Sequence, residues 1–256
     1  MEEKEIRIYP FSLESVEDQT AWGTESWKLS DLGFRDSTVR RGLLEGNTIS
    51  EIMETYLDRI VGDDIYWFYG RQFPVQLKVL HVQGKMPLRV HPNDTTAQDR
   101  YDALGKDKLW YVASASKGAT LYLGLKRDVE AQDILDGSFV GSLNEVHPLA
   151  GQSFLIPAGP IHGAEGKMEI VEVSESSALD FCVWSWGEPA DEDEFDPALD
   201  VVEALDFICL KPFSEPEPCH HHDTMIEHLA EREQFKVSKI ALKDPLHIYS
   251  EKLDSF

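Results

Sequence analysis

Hydrophobic and polar residues alternate in short runs along most of this chain, and glycine or proline separates the runs. Alternation of this kind is typical of half-buried β-strands. The pattern predicts strands at residues 74–80, 88–90, 109–112, 120–123, 153–157, 168–173, 181–186 and within 235–250. Many short strands at close spacing predict a mainly β fold, a sandwich or jelly roll.

A different period marks one helix near the N-terminus. Hydrophobic residues recur at helical spacing over residues 48–61. Thr48 and Glu51 have the spacing of a capping box, and Gly62 fits the end of the helix. The pattern predicts a second short helix at 129–135 and a polar helix or loop at 95–104. The expected fold is therefore a mainly β sandwich or jelly roll with a few α-helices packed at its N-terminal side.

Composition changes near residue 210 predict how the chain is divided. Residues 211–222 are rich in Pro, Glu and His, as linkers often are. We therefore expect a domain at 1–210, a linker at 211–222 and a C-terminal segment at 223–256. That segment is short for a separate domain, and we interpret it as the first strands of a further domain.

Charge limits the classes of partner. The 256 residues carry a formal net charge of -23, which disfavours binding to nucleic acid or to an anionic membrane. The acidic run 188–206 predicts a solvated loop that leads into a helix. Three cysteines without dense spacing, no basic and apolar leader at the N-terminus and no apolar run near 18 residues favour a cytoplasmic protein.

Two histidines are the first candidates for chemistry. His91 ends a predicted strand, and Arg89 lies two residues earlier on the same face. His162 follows Pro157 and Gly159, which fit a tight turn. Histidine is a common ligand of transition metals, but a metal site needs three or four donors. By spacing alone, the two are either metal ligands or histidines of the core and turns.

Two lysines are the second candidates. Lys106 and Lys108 lie two residues apart at the start of a predicted strand, so they share a face. They are either a solvated strand end or the positive rim of a pocket for phosphate. The run from Cys219 to Asp223 could bind stray metal, but it lacks the spacing of a tetrahedral site.

Several of these segments resemble one known family, the type I mannose-6-phosphate isomerases, which are cupins. The resemblance covers most of residues 20–186. Its carriers are Trp22-Gly23, Glu25-Ser26-Trp27, Phe73-Pro74-Val75-Gln76-Leu77-Lys78-Val79-Leu80, Val90-His91-Pro92-Asn93-Asp94, Gly105-Lys106, Trp110-Tyr111, and Pro157-Ala158-Gly159 with His162. Together these motifs are specific, whereas singly only the last of them is.

The resemblance implies a cupin jelly-roll barrel and an aldose–ketose isomerase of carbohydrate metabolism. Such an enzyme interconverts mannose 6-phosphate and fructose 6-phosphate through a cis-enediol. It holds zinc or another divalent metal with Gln, His, Glu and His ligands. His91 and His162 match the two histidine ligands, and Lys106 matches a lysine proposed to act in catalysis or binding. The segment 223–256 resembles the start of the second jelly roll that longer members have.

The chain departs from the family at two ligand positions. Arg89 stands at the glutamine position and Lys108 at the glutamate position. Neither guanidinium nor ammonium offers a lone pair, and two cations beside M²⁺ repel it. Cys182 lies in a segment where the family has an arginine.

Two hypotheses follow from these departures. One is a mannose-6-phosphate isomerase-like enzyme with a divalent metal and Lys106 in catalysis. The other is an impaired or repurposed cupin that binds a sugar phosphate or other anion without metal. In both, Arg89, Lys106 and Lys108 are the expected substrate-binding residues.

Overall fold

Antiparallel strands form two facing sheets in the computed structural model, which describes residues 10–187, 197–214 and 225–245. The first sheet contains, in spatial order, β1 (Val16–Thr20), β2 (Gly23–Leu29), β3 (Val75–Val82), β10 (Met168–Glu175), β5 (Lys108–Ala115) and β8 (Ser153–Ile156). The second contains β11 (Phe181–Trp184), β4 (Leu88–Val90), β9 (His162–Glu165), β6 (Thr120–Leu125) and β7 (Leu143–Val146). The predicted mainly β architecture is confirmed.

The main core lies between these two sheets. Leu80, Val112 and Ile170 from the first sheet pack with Leu121 and Leu123 from the second. All five side chains are almost completely buried. Burial of apolar surface on the inner faces holds the sheets together.

The described helices lie around this barrel. They are α1 (Ile49–Tyr56), α2 (Asp58–Val61), α3 (Asp63–Tyr69), α4 (Asp94–Tyr101), α5 (Ala131–Asp136) and α6 (Pro197–Ala204), with a 3-10 helix at Ser138–Ser142. The first three follow β2, as expected for helices at the N-terminal side. No helix of the described ranges is both long enough and apolar enough to cross a bilayer.

The predicted helix at 48–61 begins as expected but is divided. Thr48 and Glu51 form the capping box. Helix α1 ends at Tyr56, because Leu57 adopts a φ of 52° and a second helix begins at Asp58. A carboxylate is favoured in the first turn of a helix and disfavoured in its last turn, so Asp58 favours this division.

A β-hairpin follows the strands of the two facing sheets along the chain. Its strands are β12 (Ile226–Glu231) and β13 (Lys236–Ile240). Leu229 and Phe235 pack against Leu109, on the outer side of β5. The division into a domain, a linker and a C-terminal segment stays a prediction. The run from Cys219 to Asp223 and most of the acidic run, 188–196, lie outside the described residues.

Candidate functional site

The interior of the barrel changes from apolar to charged along three neighbouring strands. Cross-strand register places Ile170 of β10 opposite Leu80 of β3 and Val112 of β5. Two residues further along β10, Glu172 lies opposite Lys78 and Trp110. At the next level, Ser174 lies opposite Gln76 and Lys108. Because side chains two apart share a face, all these residues point into the barrel, and we call its polar half the charged end.

Glu172 is the central anion of the charged end. Its carboxylate lies 3.2 Å from the Lys108 ammonium and 3.7 Å from that of Lys78. The indole Nε1 of Trp110 donates a hydrogen bond of 2.6 Å to the same carboxylate. Lys78 also lies 3.7 Å from Glu25. These groups form a buried network of paired charges.

The network determines which groups are charged at neutral pH. Burial opposes ionisation of Glu172, but Lys108 and Lys78 outweigh it and hold its pKa at about 2. Burial also opposes the charge on Lys78, yet Glu25 and Glu172 raise its pKa. Glu172 and Lys78 are therefore both charged at pH 7.

His91 is fixed at the end of β4 by backbone groups. Its Nδ1 lies 2.9 Å from the carbonyl oxygen of Leu179. The next residues, Pro92 and Asn93, turn the chain into α4, where the Asn93 side chain caps the helix. A carbonyl can only accept a hydrogen bond, so Nδ1 carries the proton and Nε2 has a lone pair.

His162 is held in the same way on β9. Its Nδ1 lies 3.0 Å from the carbonyl oxygen of Pro160. The preceding turn places Gly159 at a φ of 101°, a conformation that favours glycine, and the Gly159 amide donates to the His91 carbonyl oxygen at 2.9 Å. The sequence frame around Gly159 thus joins the two histidine segments.

The two imidazoles come together inside the barrel. Their ring centroids are 4.8 Å apart. Both Nε2 atoms are buried, and neither has a hydrogen-bond partner among the described residues. Burial lowers the pKa of His162 to about 3, and it lowers the pKa of His91 as well. Both rings are neutral at pH 7, with unpaired nitrogens available to a ligand.

Lys106 and Lys108 are buried, at 3% and 4% exposure, so the reading as a solvated strand end does not apply. Burial lowers the pKa of Lys106 to about 7. A lysine with a pKa near neutral pH suits a group that both accepts and returns a proton.

Asp107, between the two lysines, holds their segment in place. Its carboxylate accepts a hydrogen bond of 2.8 Å from the amide of Ala158, in the turn before His162. Its own amide donates to the carboxylate of Glu175 at 2.9 Å. Arg232 of the C-terminal hairpin lies 3.1 Å from Asp107. Asp107 therefore links the segment of the two lysines, the turn before His162 and the C-terminal hairpin.

Arg89 lies at the mouth of the charged end. One guanidinium nitrogen is 3.5 Å from a carboxylate oxygen of Asp180. The side chains are 21% and 28% exposed, which makes them more accessible than the lysines behind them. The cavity they line, with Lys108, His162 and Glu172, has a volume of only about 10 Å³.

The structure brings together most of the residues that the sequence indicated. Arg89, Lys108 and His162 line one cavity, and His91 contacts His162. Lys106 is close enough to Asp180 and Lys108 for their charges to affect its pKa. Whether any of these residues acts in catalysis, substrate binding or metal binding stays a prediction.

Sequence reasoning missed three residues of the site, Lys78, Glu172 and Asp180. Lys78 and Glu172 lie in predicted strands, at inward positions next to the apolar residues Leu80 and Ile170. A charged residue at an inward strand position was the available signal. It could be recognised only with the register that pairs β3 with β10. Asp180 lies outside regular structure, and no periodicity marks it.

The donors present do not fit the four-ligand metal site that the resemblance implies. Two neutral imidazole nitrogens face the interior, but a guanidinium and an ammonium stand at the other two ligand positions. Glu172 is already engaged by Lys78 and Lys108. Within the described ranges, no three His, Cys, Asp or Glu side chains converge as metal ligands do.

Comparison with proteins of known sequence supports the resemblance. No family model matches the chain. The chain is 24% identical over 222 residues to mannose-6-phosphate isomerase ManA of Bacillus subtilis, covering 84% of this chain and 69% of ManA. It is 25% identical over 189 residues to a mannose-6-phosphate isomerase of Streptococcus mutans, covering 73% of this chain and 58% of that protein.

Comparison with solved structures gives the fold. The mannose 6-phosphate isomerase of Bacillus subtilis matches with a TM-score of 0.77 at 21% identity, over 90% of this chain and 79% of that one. A mutant phosphomannose isomerase of Salmonella typhimurium matches with a TM-score of 0.66 at 12% identity, over 89% of this chain and 82% of that one. The chain therefore has the cupin fold of the phosphomannose isomerases, and the resemblance found in its motifs is confirmed.

Proposed function

We propose that this protein is an aldose–ketose isomerase that acts on a sugar phosphate, with mannose 6-phosphate and fructose 6-phosphate as the expected pair. The observation that carries the proposal is the charged end. It combines a buried amine with a pKa of about 7, two unpaired imidazole nitrogens and several fixed cations. The names of the relatives point to the same reaction.

Each group has a role that its chemistry permits. The neutral Lys106 amine takes the proton from C2 of the ring-opened aldose, which gives an enediolate with its charge on O1. The proton of the C2 hydroxyl passes to O1, and the Lys106 ammonium returns its proton to C1, which leaves the ketone at C2. Arg89 and Lys108 stabilise the negative charge that develops on the sugar oxygens. The unpaired Nε2 atoms of His91 and His162 accept hydrogen bonds from sugar hydroxyls and orient the ring-opened chain.

No step of the proposed reaction passes through a metal, because Arg89 and Lys108 occupy the expected ligand positions. Of the four ligand positions that the resemblance implies for zinc, His91 and His162 are the two that hold an ordinary zinc ligand. The cytoplasmic location and the lack of nucleic-acid and membrane partners stay predictions.

One specific observation favours a second candidate function, namely anion binding without turnover. The cavity of about 10 Å³ has room for about one water molecule. A sugar phosphate therefore requires the mouth to open. A protein that opens only far enough for a small anion would bind phosphate and catalyse nothing.

The experiment that separates these functions is a turnover assay with the full chain. Mannose 6-phosphate is supplied to chelator-treated protein and to the same protein with zinc added, and fructose 6-phosphate is measured. We expect turnover in both cases. Lys106→Met should lower kcat by roughly 10²–10⁴-fold, the usual contribution of acid–base catalysis.

Lys167→Met is the matched control, because Lys167 is exposed and lies at the opposite end of the strands. It should leave kcat unchanged. Absence of turnover with and without zinc, in a folded protein, would overturn the isomerase proposal. Equal kcat for Lys106→Met and wild type would overturn the role of Lys106.

A further inference from the structure

Asp180 occupies a specific position in the charged end. It directly precedes β11, and it lies across the mouth from Arg89 on β4. It lines the same cavity as Lys108 and His162. Asp180 and Arg89 are among the partly exposed side chains of this lining.

The contacts of the Asp180 carboxylate are long. One oxygen lies 3.5 Å from the Arg89 guanidinium, whereas a charge-assisted hydrogen bond is about 2.7–2.9 Å. The other oxygen lies 3.6 Å from Nδ1 of His91, which is already bonded to the Leu179 carbonyl. That oxygen is buried and has no hydrogen-bond partner among the described residues. That oxygen is therefore held by nearby charges rather than by a directed bond.

The charges around Asp180 are mainly positive. Burial opposes its ionisation, but Arg89, Lys106 and Lys108 hold its pKa well below the ordinary value. Lys78 lies close to the carboxylates of Glu25 and Glu172, and Lys108 lies close to the carboxylate of Glu172. Asp180 is therefore the carboxylate that faces Arg89 and the Lys106 side of the cluster.

We infer that Asp180 is an internal competitor for the anion site, and thus a specificity-determining residue. Its carboxylate occupies the position on Arg89 that an oxyanion of the ligand takes. Binding displaces Asp180 from Arg89 and opens the mouth. The inference rests on the proposed function only for the identity of the ligand as a sugar phosphate, because the anion site itself can be tested without turnover.

The cavity volume supports displacement rather than simple addition. A space of about 10 Å³ holds about one water and cannot also hold a phosphate group. Asp180 and Arg89 are the more exposed side chains of the cluster, whereas Lys78, Lys108 and Glu172 are almost fully buried. Movement of Asp180 breaks no hydrogen bond of its buried Oδ1.

The test measures binding of inorganic phosphate by titration calorimetry, with the chelator-treated full chain. Asp180→Asn keeps the size of the side chain and removes the competing charge. We expect phosphate affinity to rise at least tenfold over wild type. The matched control is Asp64→Asn, which makes the same charge change at an exposed position of α3 and should give no gain.

A second variant locates the anion. Arg89→Gln in the Asp180→Asn background should remove the gain. Equal affinity in Asp180→Asn and wild type would overturn the inference. An equal gain in Asp64→Asn, or a gain that persists without Arg89, would overturn it as well.

Two further measurements keep the test decisive. If Asp180→Asn does not fold, as judged by thermal unfolding, Asp180→Ser carries the same expectation. Turnover of mannose 6-phosphate is measured on the same samples. A gain in phosphate affinity without turnover would overturn the proposed function but not this inference. Turnover without a gain in phosphate affinity would overturn this inference but not the proposed function.

Discussion

The same strands form both ends of the barrel interior, but one end is apolar and the other is charged. At the apolar end, Leu80, Val112 and Ile170 pack against the opposite sheet. One level along, Lys78 and Glu172 stand at equivalent inward positions, and they stabilise each other as a buried charge pair. The comparison shows that the apolar half can hold the sheets together while the other half keeps groups that are costly to bury.

The largest expected effect comes from removing the central anion. Glu172→Gln leaves Lys78 and Lys108 buried beside a neutral amide. Loss of one partner of a buried ion pair typically costs about 3–5 kcal/mol in the free energy of unfolding. Urea unfolding measures the difference. The matched control is Ile170→Val, two residues away on the same face, which should cost about 0.5–1.5 kcal/mol. Equal costs for the two variants would contradict the comparison.

A change at the apolar end should affect stability and leave the site unaffected. Leu121→Ala creates a cavity in the core, away from the lining of the site cavity, and should lower the free energy of unfolding by about 2–5 kcal/mol. Phosphate affinity of the folded fraction should stay within twofold of wild type, because Lys78 and Arg89 keep their positions. A large loss of affinity in a folded Leu121→Ala protein would show that the two ends are not independent.

Two buried glutamates of one strand should respond to pH in opposite ways. Burial raises the pKa of Glu175 from 4.5 to about 7. A raised pKa means that the protonated form is favoured on folding. The contribution of Glu175 to stability is therefore complete below pH 4.5 and is lost as the pH rises to about 7. The depressed pKa of Glu172 has the opposite effect, with stability lost only as the pH falls from 4.5 towards 2.

Comparison of wild type with Glu175→Gln isolates this effect. Between pH 4.5 and 7, the free energy of unfolding of wild type should fall relative to Glu175→Gln, by roughly 3 kcal/mol at most. Chemical denaturation at several pH values measures the difference. A constant difference across this range would show that Glu175 ionises normally.

The smallest effect concerns an ion pair at the edge of the charged end. Arg232 and Asp107 are partly exposed, unlike Lys108 and Glu172. Arg232→Gln should cost about 0.2–1 kcal/mol, as exposed pairs do. Urea unfolding in low and high salt checks this, since the cost should shrink at high salt. A cost near that of Glu172→Gln would mean that the hairpin contact is as important as the buried network.

Sequence pattern predicted the strands, because alternation is a local signal, whereas the pairing of the two histidines was implied by the resemblance to a cupin family. Glycine and proline marked the turn before His162, and alternation marked the strands. The charged end depends on contacts between distant segments, which a local pattern does not contain. In β3 the pattern is even misleading, since Gln76 and Lys78 are the buried residues and Val75 and Leu77 are less so. The cross-strand register places Lys78 opposite Glu172, which explains why a buried lysine is stable at this position.

The central claim is that the charged end binds a sugar phosphate through its cations rather than through a divalent metal. Its most direct test is calorimetric binding of fructose 6-phosphate to the chelator-treated full chain and to Arg89→Gln. We predict binding by the chelated wild type and at least tenfold weaker binding by Arg89→Gln. Binding that requires added zinc and is unchanged in Arg89→Gln would contradict the account.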